Sequence, residues 1–420
     1  MKLTKENSVY IPNNLDLSRF KSNYRHGIAY LCHFLTIDRI KQGFTYGQHI
    51  KADEVGLFTN IHSQHLKNVM GDNYRKPIEA AIEAGIIEEN PKYSHGNFTK
   101  SFRLTHEYYV EKTHKTVVGG RVRKYLQGKY PDKTQQEPLE PHQEQLVRWL
   151  EKVRLEIPEG YCIELPECDN PDIQRNLVEH SIDMIQDQDF WHTYKYGRFY
   201  SNVTNLSKMV RPFITINHKP LVGFDVSASH PLMVAWLVGQ LQDFPDFNTF
   251  TTNISNLIPY VVDYVSKPLK TREKLNSDNL ILIESVENGE FYPNLSRASG
   301  RPLKKTKKDS LTAINMNWHK HHYMIPVLRS EYPSIHALLN LFKDRDSNIH
   351  KLKSHLMTGL EGEVIINKIC KRLYEEHPKM PLITIHDCIL TTPEWLDVLK
   401  VTMEEEYNKI GLYPTLKETF

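Results

Sequence analysis

The sequence is short of several features that would fix its class at once. Only five cysteines are scattered over 420 residues, which argues against a disulfide framework and fits a reducing compartment. Cys162 and Cys168 lack the second pair that a structural zinc site needs. No stretch reaches the roughly 18 apolar residues of a membrane span, and the N-terminus lacks the apolar core of a signal peptide. We therefore expect a cytoplasmic protein without a membrane partner.

The chain also lacks a charge of one sign. It carries 53 Lys and Arg against 51 Asp and Glu, a net charge of +2, so there is no overall basic excess of the kind typical of nucleic-acid-binding proteins. Any such binding must come from local patches. The apolar fraction of 40 % and charged fraction of 25 % are ordinary for a globular protein, and the length predicts two or three domains.

The first 115 residues follow a pattern of their own. Helices are predicted over residues 24–42, 62–69 and 78–84, and two strands over 86–89 and 100–104 follow a helix-ending glycine, Gly85. Helices followed by a β-hairpin are typical of a winged-helix-like domain, which we predict over residues 1–115. Arg75 and Lys76, at the start of a helix, are candidates for phosphate contacts. A solvated face or a protein-binding module is the alternative.

Residues 116–141 are rich in Gly, Pro, Gln and charge, a composition that predicts a linker. The rest of the chain has the periodicities of a mixed α/β region. Helices are predicted over residues 142–155, 171–187, 229–241, 305–322, 349–376 and 394–409.

Two apolar segments each deliver an aspartate. Leu221-Val222-Gly223-Phe224 precedes Asp225, and Leu382-Ile383-Thr384-Ile385-His386 precedes Asp387. Each reads as a short buried strand, and buried carboxylates need a partner, commonly a divalent cation. Two such carboxylates held together can bind two Mg²⁺ ions, with Mn²⁺ as a substitute, as in phosphoryl transfer. Alternatively, each aspartate alone is a helix cap, a turn former or a member of a hydrogen-bonded pair.

Four segments occur in a set order. They are Gly197-Arg198-Phe199-Tyr200-Ser201 with Asn205-Leu206 and Arg211 beyond it, Asp225-Val226-Ser227-Ala228-Ser229-His230, the basic stretch at residues 301–308, and Ile385-His386-Asp387-Cys388. This ordered set resembles the family A DNA polymerases and the single-subunit phage-type RNA polymerases, over roughly residues 190–420. The resemblance implies an α+β fold: a polymerase-like palm with reduced helical fingers over 196–420, a helical, thumb-like segment over 142–195, and the winged-helix-like domain before them.

The resemblance also implies roles for individual residues. Asp225, Asp387 and the backbone carbonyl of Val226 would bind the metal ions. Lys304 and Lys308 lie one turn apart on a predicted helix and would bind the triphosphate, with Lys308 also protonating the leaving group. The further nucleotide-binding candidates are His230 and Thr312, and the nucleic-acid-binding candidates are Arg198, Asn205, Arg211, Glu361 and His386.

Some positions depart from the family pattern. His230 stands where DNA-making members have a glutamate, so the sugar preference is open. Glu361 replaces a glutamine, and Cys388 replaces an acid that RNA-making relatives also lack. A second register of the basic helix uses Lys307, Leu311 and Asn315.

The expected function is a template-directed nucleotidyltransferase, first of all a DNA polymerase of a phage, plasmid or mobile element. Its partners would be template and primer DNA, nucleoside triphosphates and an accessory replication protein. The alternatives are a primase or single-subunit RNA polymerase, a non-catalytic DNA-binding replication initiator or regulator, and a metal-dependent nuclease.

Overall fold

The structure is a computed structural model, and it describes residues 7–46, 58–91, 100–126, 138–162, 171–195, 197–243, 279–315, 322–341 and 349–420. Within these ranges the fold is α+β, as the sequence predicts. None of the described helices is long and apolar enough to cross a membrane. The winged-helix, thumb, palm and fingers assignments stay predictions.

The helices and strands are numbered in chain order. The helices are α1 (Ser22–Tyr46), α2 (Ser63–Met70), α3 (Arg75–Glu83), α4 (His106–Tyr109), α5 (Gly120–Leu126), α6 (Pro141–Leu150), α7 (Pro171–Gln186), α8 (Ser229–Asp243), α9 (Asn279–Glu287), α10 (Phe291–Ser299), α11 (Leu303–Asn315), α12 (Met324–Glu331), α13 (Pro333–Leu341), α14 (Ile349–Gly362), α15 (Lys371–Glu376) and α16 (Leu396–Asn408). The strands are β1 (Ser8–Pro12), β2 (Thr59–Asn60), β3 (Ile87–Glu89), β4 (Ser101–Leu104), β5 (Thr113–Val117), β6 (Val153–Leu155), β7 (His192–Lys195), β8 (Arg198–Ser201), β9 (Ile214–Ile216), β10 (Lys219–Pro220), β11 (Val222–Val226), β12 (Ile383–Ile385), β13 (Cys388–Thr391) and β14 (Leu416–Thr419).

The chain forms two compact units. The first comprises Met1–Pro138, Leu150–Thr193 and Ser201–His218, and the second comprises Leu139–Trp149, Tyr194–Tyr200 and Lys219–Phe420. The segment over residues 142–195, predicted to be a single thumb-like piece, is therefore divided between the two units.

The first unit has its core around α1. This helix packs against α3, β1 and β4, and α3 turns Pro77, Ile78 and Ala81 inward. The chain leaves α3 at Gly85, whose φ of +70° is a conformation that glycine adopts without strain. Strands β3 and β4 then pair antiparallel, with Ile87 opposite Leu104. The predicted hairpin is thus confirmed.

The prediction of a linker over residues 116–141 is wrong for residues 120–126. Residues 120–126 form α5, and its Val122 and Leu126 are buried in the core of the first unit. Two apolar residues spaced by four lie on one face of a helix, so this short helix has a buried side despite its Gly-rich start. Residues 127–137 lie outside the described residues.

The second unit contains an antiparallel sheet with the strand order β12-β13-β11-β14. In it, Phe224 lies opposite Ile389 and Asp225 lies opposite Cys388. Gly223 permits this pairing, because a Cβ atom there would lie 1.9 Å from the backbone oxygen of Ile389. The absence of a side chain at Gly223 therefore sets how closely β11 approaches β13.

One long helical segment runs from residue 349 to 376, as predicted. Between α14 and α15 it widens into a π-helix over Glu363–Cys370, a feature that often marks functional sites. At the start of the π-helix, a Cβ on Gly362 would lie 2.1 Å from the backbone oxygen of Gly197. Gly362 therefore lets the turn before Arg198 lie directly on this helix.

Candidate active site

The sheet of the second unit brings Asp225 and Asp387 together. Asp225 is the penultimate residue of β11 and faces Cys388 across the ladder. Asp387 directly precedes Cys388, in the two-residue loop that joins β12 to β13. Because β11 and β13 are neighbours, both carboxylates lie at the same end of the sheet. Residues 162 positions apart in the sequence thus meet, as the two strand patterns and the family resemblance predict.

The charges at this end of the sheet are not balanced. Burial raises the pKa of Asp387, and the negative charges of Glu361 and Asp225 raise it further, to about 8. Asp387 as a whole residue is half-buried. The raised pKa of Asp387 reflects like charge held close together, which a divalent cation would offset. Asp225 and Asp387 therefore fit a hard cation with oxygen ligands.

Glu361, expected to contact nucleic acid, has a different environment. It is 1 % exposed, and its Oε1 accepts a hydrogen bond of 2.7 Å from Arg198 Nε and lies 2.5 Å from Arg198 Nη2. Its Oε2 accepts a hydrogen bond of 2.7 Å from Ser229 Oγ. Both oxygens are thus used inside the protein, and the structure corrects this prediction: Glu361 anchors Arg198.

His230 completes this buried group. Arg198 Nη2 lies 2.9 Å from His230 Nε2, and a guanidinium can only donate, so Nε2 is the acceptor and the ring is neutral with its proton on Nδ1. Burial lowers the pKa of His230, Glu361 raises it and Arg198 lowers it, with a net decrease. The Arg198 side chain, 15 % exposed, is therefore held from two sides.

The turn after Asp225 and the loop that contains Asp387 each hold one residue in a strained conformation. Ala228, in the turn from β11 to α8, has a φ of +55°, and His386, in the loop from β12 to β13, has a φ of +59°. Non-glycine residues in this region cost on the order of 1 kcal/mol or more, and such strain clusters at functional sites. His386 is exposed at the tip of its loop, and its ring lies 6.0 Å from that of Tyr200 in an edge-on contact.

The basic helix α11 presents several lysines. Its buried face consists of Thr306, Ser310, Ala313 and Ile314, and Lys304, Lys308 and Thr312 are exposed. The hydroxyl of Thr312 donates to the backbone oxygen of Lys308, so it is used within the helix.

A different lysine lies towards the acid pair. Lys307 Nζ is 5.4 Å from the ring centroid of Tyr292, and the pKa of Tyr292 is raised by burial and then by the charge of Asp387. The contacts therefore favour the second register, with Lys307 rather than Lys308 at the site.

The remaining candidates belong to the first unit or have other contacts. Val226 ends β11 opposite Leu416 of β14, next to Asp225. Asn205 and Arg211 belong to the first unit, where Arg211 donates to the backbone oxygens of Leu206 and Thr204 at 3.0 and 3.3 Å and braces its own loop.

Arg75 and Lys76 also belong to the first unit. Arg75 forms ion pairs with Glu79 at 3.1 Å and with Glu89 at 2.5 Å, so its charge is largely compensated. Lys76 is exposed.

The sequence reading missed two tyrosines of the second unit. Tyr292 lies beside Asp387, and Tyr407 is fully buried, its pKa raised by burial and by the charges of Glu361 and Asp387. No motif marks either residue. Within the described ranges, no group of three or more His, Cys, Asp or Glu side chains is arranged to hold a metal ion, so the candidate is a two-aspartate site.

Comparisons with known proteins add little. No protein-family model matches the chain, and no curated protein matches it. Among solved structures, the chain is similar to the POL domain of Pol1 from M. smegmatis in complex with DNA primer-template and dNTP, with a TM-score of 0.28 and 12 % identity. The match covers 60 % of this chain and 51 % of that one. A likeness this weak carries no argument about activity.

Proposed function

We propose that this chain is a template-directed nucleotidyltransferase, first of all a DNA polymerase, that uses Asp225 and Asp387 to hold two Mg²⁺ ions. The antiparallel pairing of β11 with β13 carries the proposal, because it delivers two carboxylates to one end of a sheet. The raised pKa of Asp387 supports it, since a carboxyl group surrounded by like charge is suited to a cation. The strained residues close to both aspartates, Ala228 and His386, support it further.

The neighbouring residues have separate tasks in this proposal. Bound metal ions would activate a 3′-hydroxyl and stabilise the leaving pyrophosphate. The backbone carbonyl of Val226 would add a ligand beside Asp225. His386, exposed at the loop tip, would contact the phosphate of the primer end. Arg198, oriented by Glu361 and His230, would position the primer strand with the part of its side chain that remains exposed.

The lysines of α11 favour polymerisation over a nuclease or a DNA-binding regulator. Lys304, Lys307 and Lys308 are all exposed on α11, and none of them has an ion pair with any described residue. A nuclease that cuts phosphodiesters does not need such an array, whereas a triphosphate does, because its charge must be offset. A purely DNA-binding regulator would not need two aspartates of like charge held together without balance. The choice between dNTP and rNTP is left to the assay, as His230 occupies the position at which the sugar would be checked.

The first unit would recruit the template in this proposal. Its α3 and the β3–β4 hairpin follow the order of a winged-helix domain, and Lys76 offers an exposed charge at the start of α3. The compensated Arg75 would contribute less.

A primer-extension assay tests the proposed function. The protein is incubated with primed template, Mg²⁺ and either dNTPs or rNTPs, and the assay is repeated with Asp225→Ala and Asp387→Ala. Both substitutions should abolish extension, and the matched control Asp397→Ala, at an exposed aspartate of α16, should leave it intact. Extension that survives either site substitution would remove the two-aspartate mechanism. Tight binding of the duplex without extension on any nucleotide would favour the non-catalytic regulator.

A further inference from the structure

Helix α5 concentrates positive charge on the first unit. Arg121, Arg123 and Lys124 are all exposed on this helix, and residues 112–126 contain neither Asp nor Glu. Arg123 and Lys124 form no ion pair with any residue that the structure describes. Clustered cations without acidic neighbours along the chain attract polyanions.

The helix is packed onto the first unit and is not a solvated tail. Two apolar residues of α5 are buried in the core of that unit. Arg121 Nε donates a hydrogen bond of 3.0 Å to the backbone oxygen of Asn68, near the C-terminal end of α2, where carbonyl groups lack partners within their own helix. The hydroxyl of Tyr125 lies 3.3 Å from Nδ1 of His65, which also belongs to α2. Helix α5 and its exposed cations are therefore fixed beside α2.

Helix α2 continues this surface with amide groups and a further cation. Gln64 Nε2 donates a hydrogen bond of 3.0 Å to Asn68 Oδ1, one turn along the helix. Lys67 is exposed, and α2 contains no acidic residue. Arg, Lys, Asn and Gln side chains are among the groups that donate to phosphate oxygens in complexes with DNA. We define the α2–α5 surface as Gln64, Lys67, Asn68, Arg121, Arg123 and Lys124.

The neighbouring helix α3 has a different balance of charge. In helix-turn-helix proteins, the second helix of the motif enters a groove of the DNA, and α3 holds that place after α2 in the chain. Lys76 of α3, however, is accompanied by the exposed Glu79 and Glu83. Arg75 is paired with Glu79 and Glu89. Exposed carboxylates repel phosphates, so the charges favour the α2–α5 surface over α3 as the principal contact with a nucleic acid.

The exposed residues of α2 and α5 also indicate the class of partner. All of them are polar, charged or glycine. Protein interfaces are enriched in aromatic residues and depleted of lysine, and helices that lie on membranes present an apolar face to the lipid. A phosphate backbone requires only cations and hydrogen-bond donors. The α2–α5 surface therefore fits a nucleic acid better than a protein or a membrane.

We propose that the α2–α5 surface binds the phosphate backbone of a nucleic-acid duplex without reading its base sequence. Phosphate contacts position a duplex but carry no sequence information, and their affinity falls steeply with salt. The role of this duplex as primed template rests on the proposed nucleotidyltransferase function, whereas binding itself can be measured without nucleotides.

The test is fluorescence anisotropy of the full chain with labelled duplexes, over a range of salt concentrations and without nucleotides. Two DNA duplexes of unrelated sequence and one RNA duplex are compared. Arg123→Gln, Lys124→Gln and the double variant remove charge, whereas Lys124→Arg keeps it. Lys208→Gln is the matched control, because Lys208 is an exposed lysine of the first unit outside α2 and α5. Lys76→Gln tests α3, and circular dichroism checks that each variant is folded.

The α2–α5 surface predicts that Arg123→Gln and Lys124→Gln each weaken duplex binding by about threefold to tenfold. Each should also reduce the slope of log affinity against log salt concentration by about one. The double variant should show both losses, to the same extent on the two DNA sequences. Lys124→Arg and Lys208→Gln should stay within about twofold of the original protein. Whichever of DNA and RNA shows this pattern at higher affinity is the preferred ligand.

Several results would overturn the proposal. One is the failure of the original protein to bind any duplex, and another is an unchanged salt slope in the double variant. A larger loss in Lys76→Gln than in the double variant would assign the contact to α3 instead. Losses confined to one DNA sequence would contradict a backbone contact. Binding to anionic lipid vesicles that the double variant loses, with duplex binding unchanged, would assign the surface to a membrane.

Primer extension separates this surface from the function on which its role rests. If duplex binding follows the predicted pattern but no nucleotide is incorporated, the surface stands and the polymerase proposal falls. If the chain extends primers while the double variant binds and extends like the original protein at every salt concentration, the polymerase proposal stands and the surface falls.

Discussion

Two groups of charged residues, one in each unit, are arranged in opposite ways. In the first unit, three basic residues around α3 and the β3–β4 pair are compensated: Arg75 and Lys100 share Glu89, and Arg103 contacts Glu88 at 2.7 Å. In the second unit, Asp225 and Asp387 repel each other, and Lys307 has no acidic partner among the described residues. Charges that are paired stabilise a fold, whereas charges that are held together without balance are suited to a ligand. The difference favours the second unit as the place of the proposed chemistry.

The largest difference in stability between matched variants is expected for two arginines that are paired with glutamates, Arg198 in the second unit and Arg75 in the first. Arg198→Met should lower the free energy of unfolding by about 3–5 kcal/mol, because it leaves the buried Glu361 without its charge partner. Arg75→Met should cost below about 1 kcal/mol, since the Arg75–Glu89 pair is partly exposed. Urea unfolding of both variants measures the difference. Similar losses would show that the Arg198–Glu361 pair is not buried as described.

Two glycines extend the comparison to the backbone. Gly223→Ala should destabilise the protein by about 1–3 kcal/mol, because the new methyl group meets backbone of β13 and cannot be accommodated without moving the strands. Gly27→Ala in α1 meets the flexible side chain of Met70 at 3.2 Å and makes an ordinary contact with Pro77 at 3.9 Å. Alanine also favours a helix over glycine by up to about 1 kcal/mol. The stability of Gly27→Ala should change little in thermal unfolding. Equal effects of the two changes would contradict the close approach of β11 to β13.

Neutralising one acid in each unit should change stability in opposite directions. Without divalent ions at pH 8, Asp387→Asn should raise the melting temperature by a few degrees, as it removes like-charge repulsion. The pKa of Asp387 is raised in the folded state, so ionised Asp387 lowers the free energy of unfolding. This destabilisation develops as the pH rises from about 4 to about 8 and is absent at lower pH. Added Mg²⁺ should stabilise the original protein and not the variant.

Glu89→Gln should have a smaller effect of the opposite sign. Burial raises the pKa of Glu89, but Arg75 and Lys100 lower it by more, so the net pKa is below its usual value. The native glutamate therefore stabilises the fold above its unfolded-state pKa, and this contribution is lost as the pH falls through the folded-state pKa. Melting curves from pH 3 to 8 should show a loss of up to about 1 kcal/mol at neutral pH for Glu89→Gln. A higher stability of Glu89→Gln than of the original protein at neutral pH would contradict the difference between the units.

Local patterns were enough to predict much of the fold and part of the site. The strands before Asp225 and Asp387, the β3–β4 hairpin and the long helix at residues 349–376 follow from apolar periodicity and glycine placement. The α11 helix begins within two residues of its predicted start, and residues 316–321 of the prediction lie outside the described residues. The meeting of the two aspartates followed from the order of the motifs.

Contacts between distant segments could not be predicted. Glu361 and Arg198 are 163 positions apart, so nothing local indicates that their ion pair removes Glu361 from a nucleic-acid surface. The spacing of Lys304 and Lys308 satisfies the one-turn rule, but the packing of α10 against α11 decides that Lys307 faces the site. Tyr292 has no motif, and its position beside Asp387 is visible only in three dimensions.

The binding of Mn²⁺, followed by electron paramagnetic resonance as the ion is titrated into the protein, tests the shared two-aspartate site most directly. We predict two bound ions per chain in the original protein and in the control Asp397→Asn. Asp225→Asn and Asp387→Asn should each bind at least one ion fewer. If both site variants bind Mn²⁺ with the stoichiometry and affinity of the original protein, the two aspartates do not form a metal site.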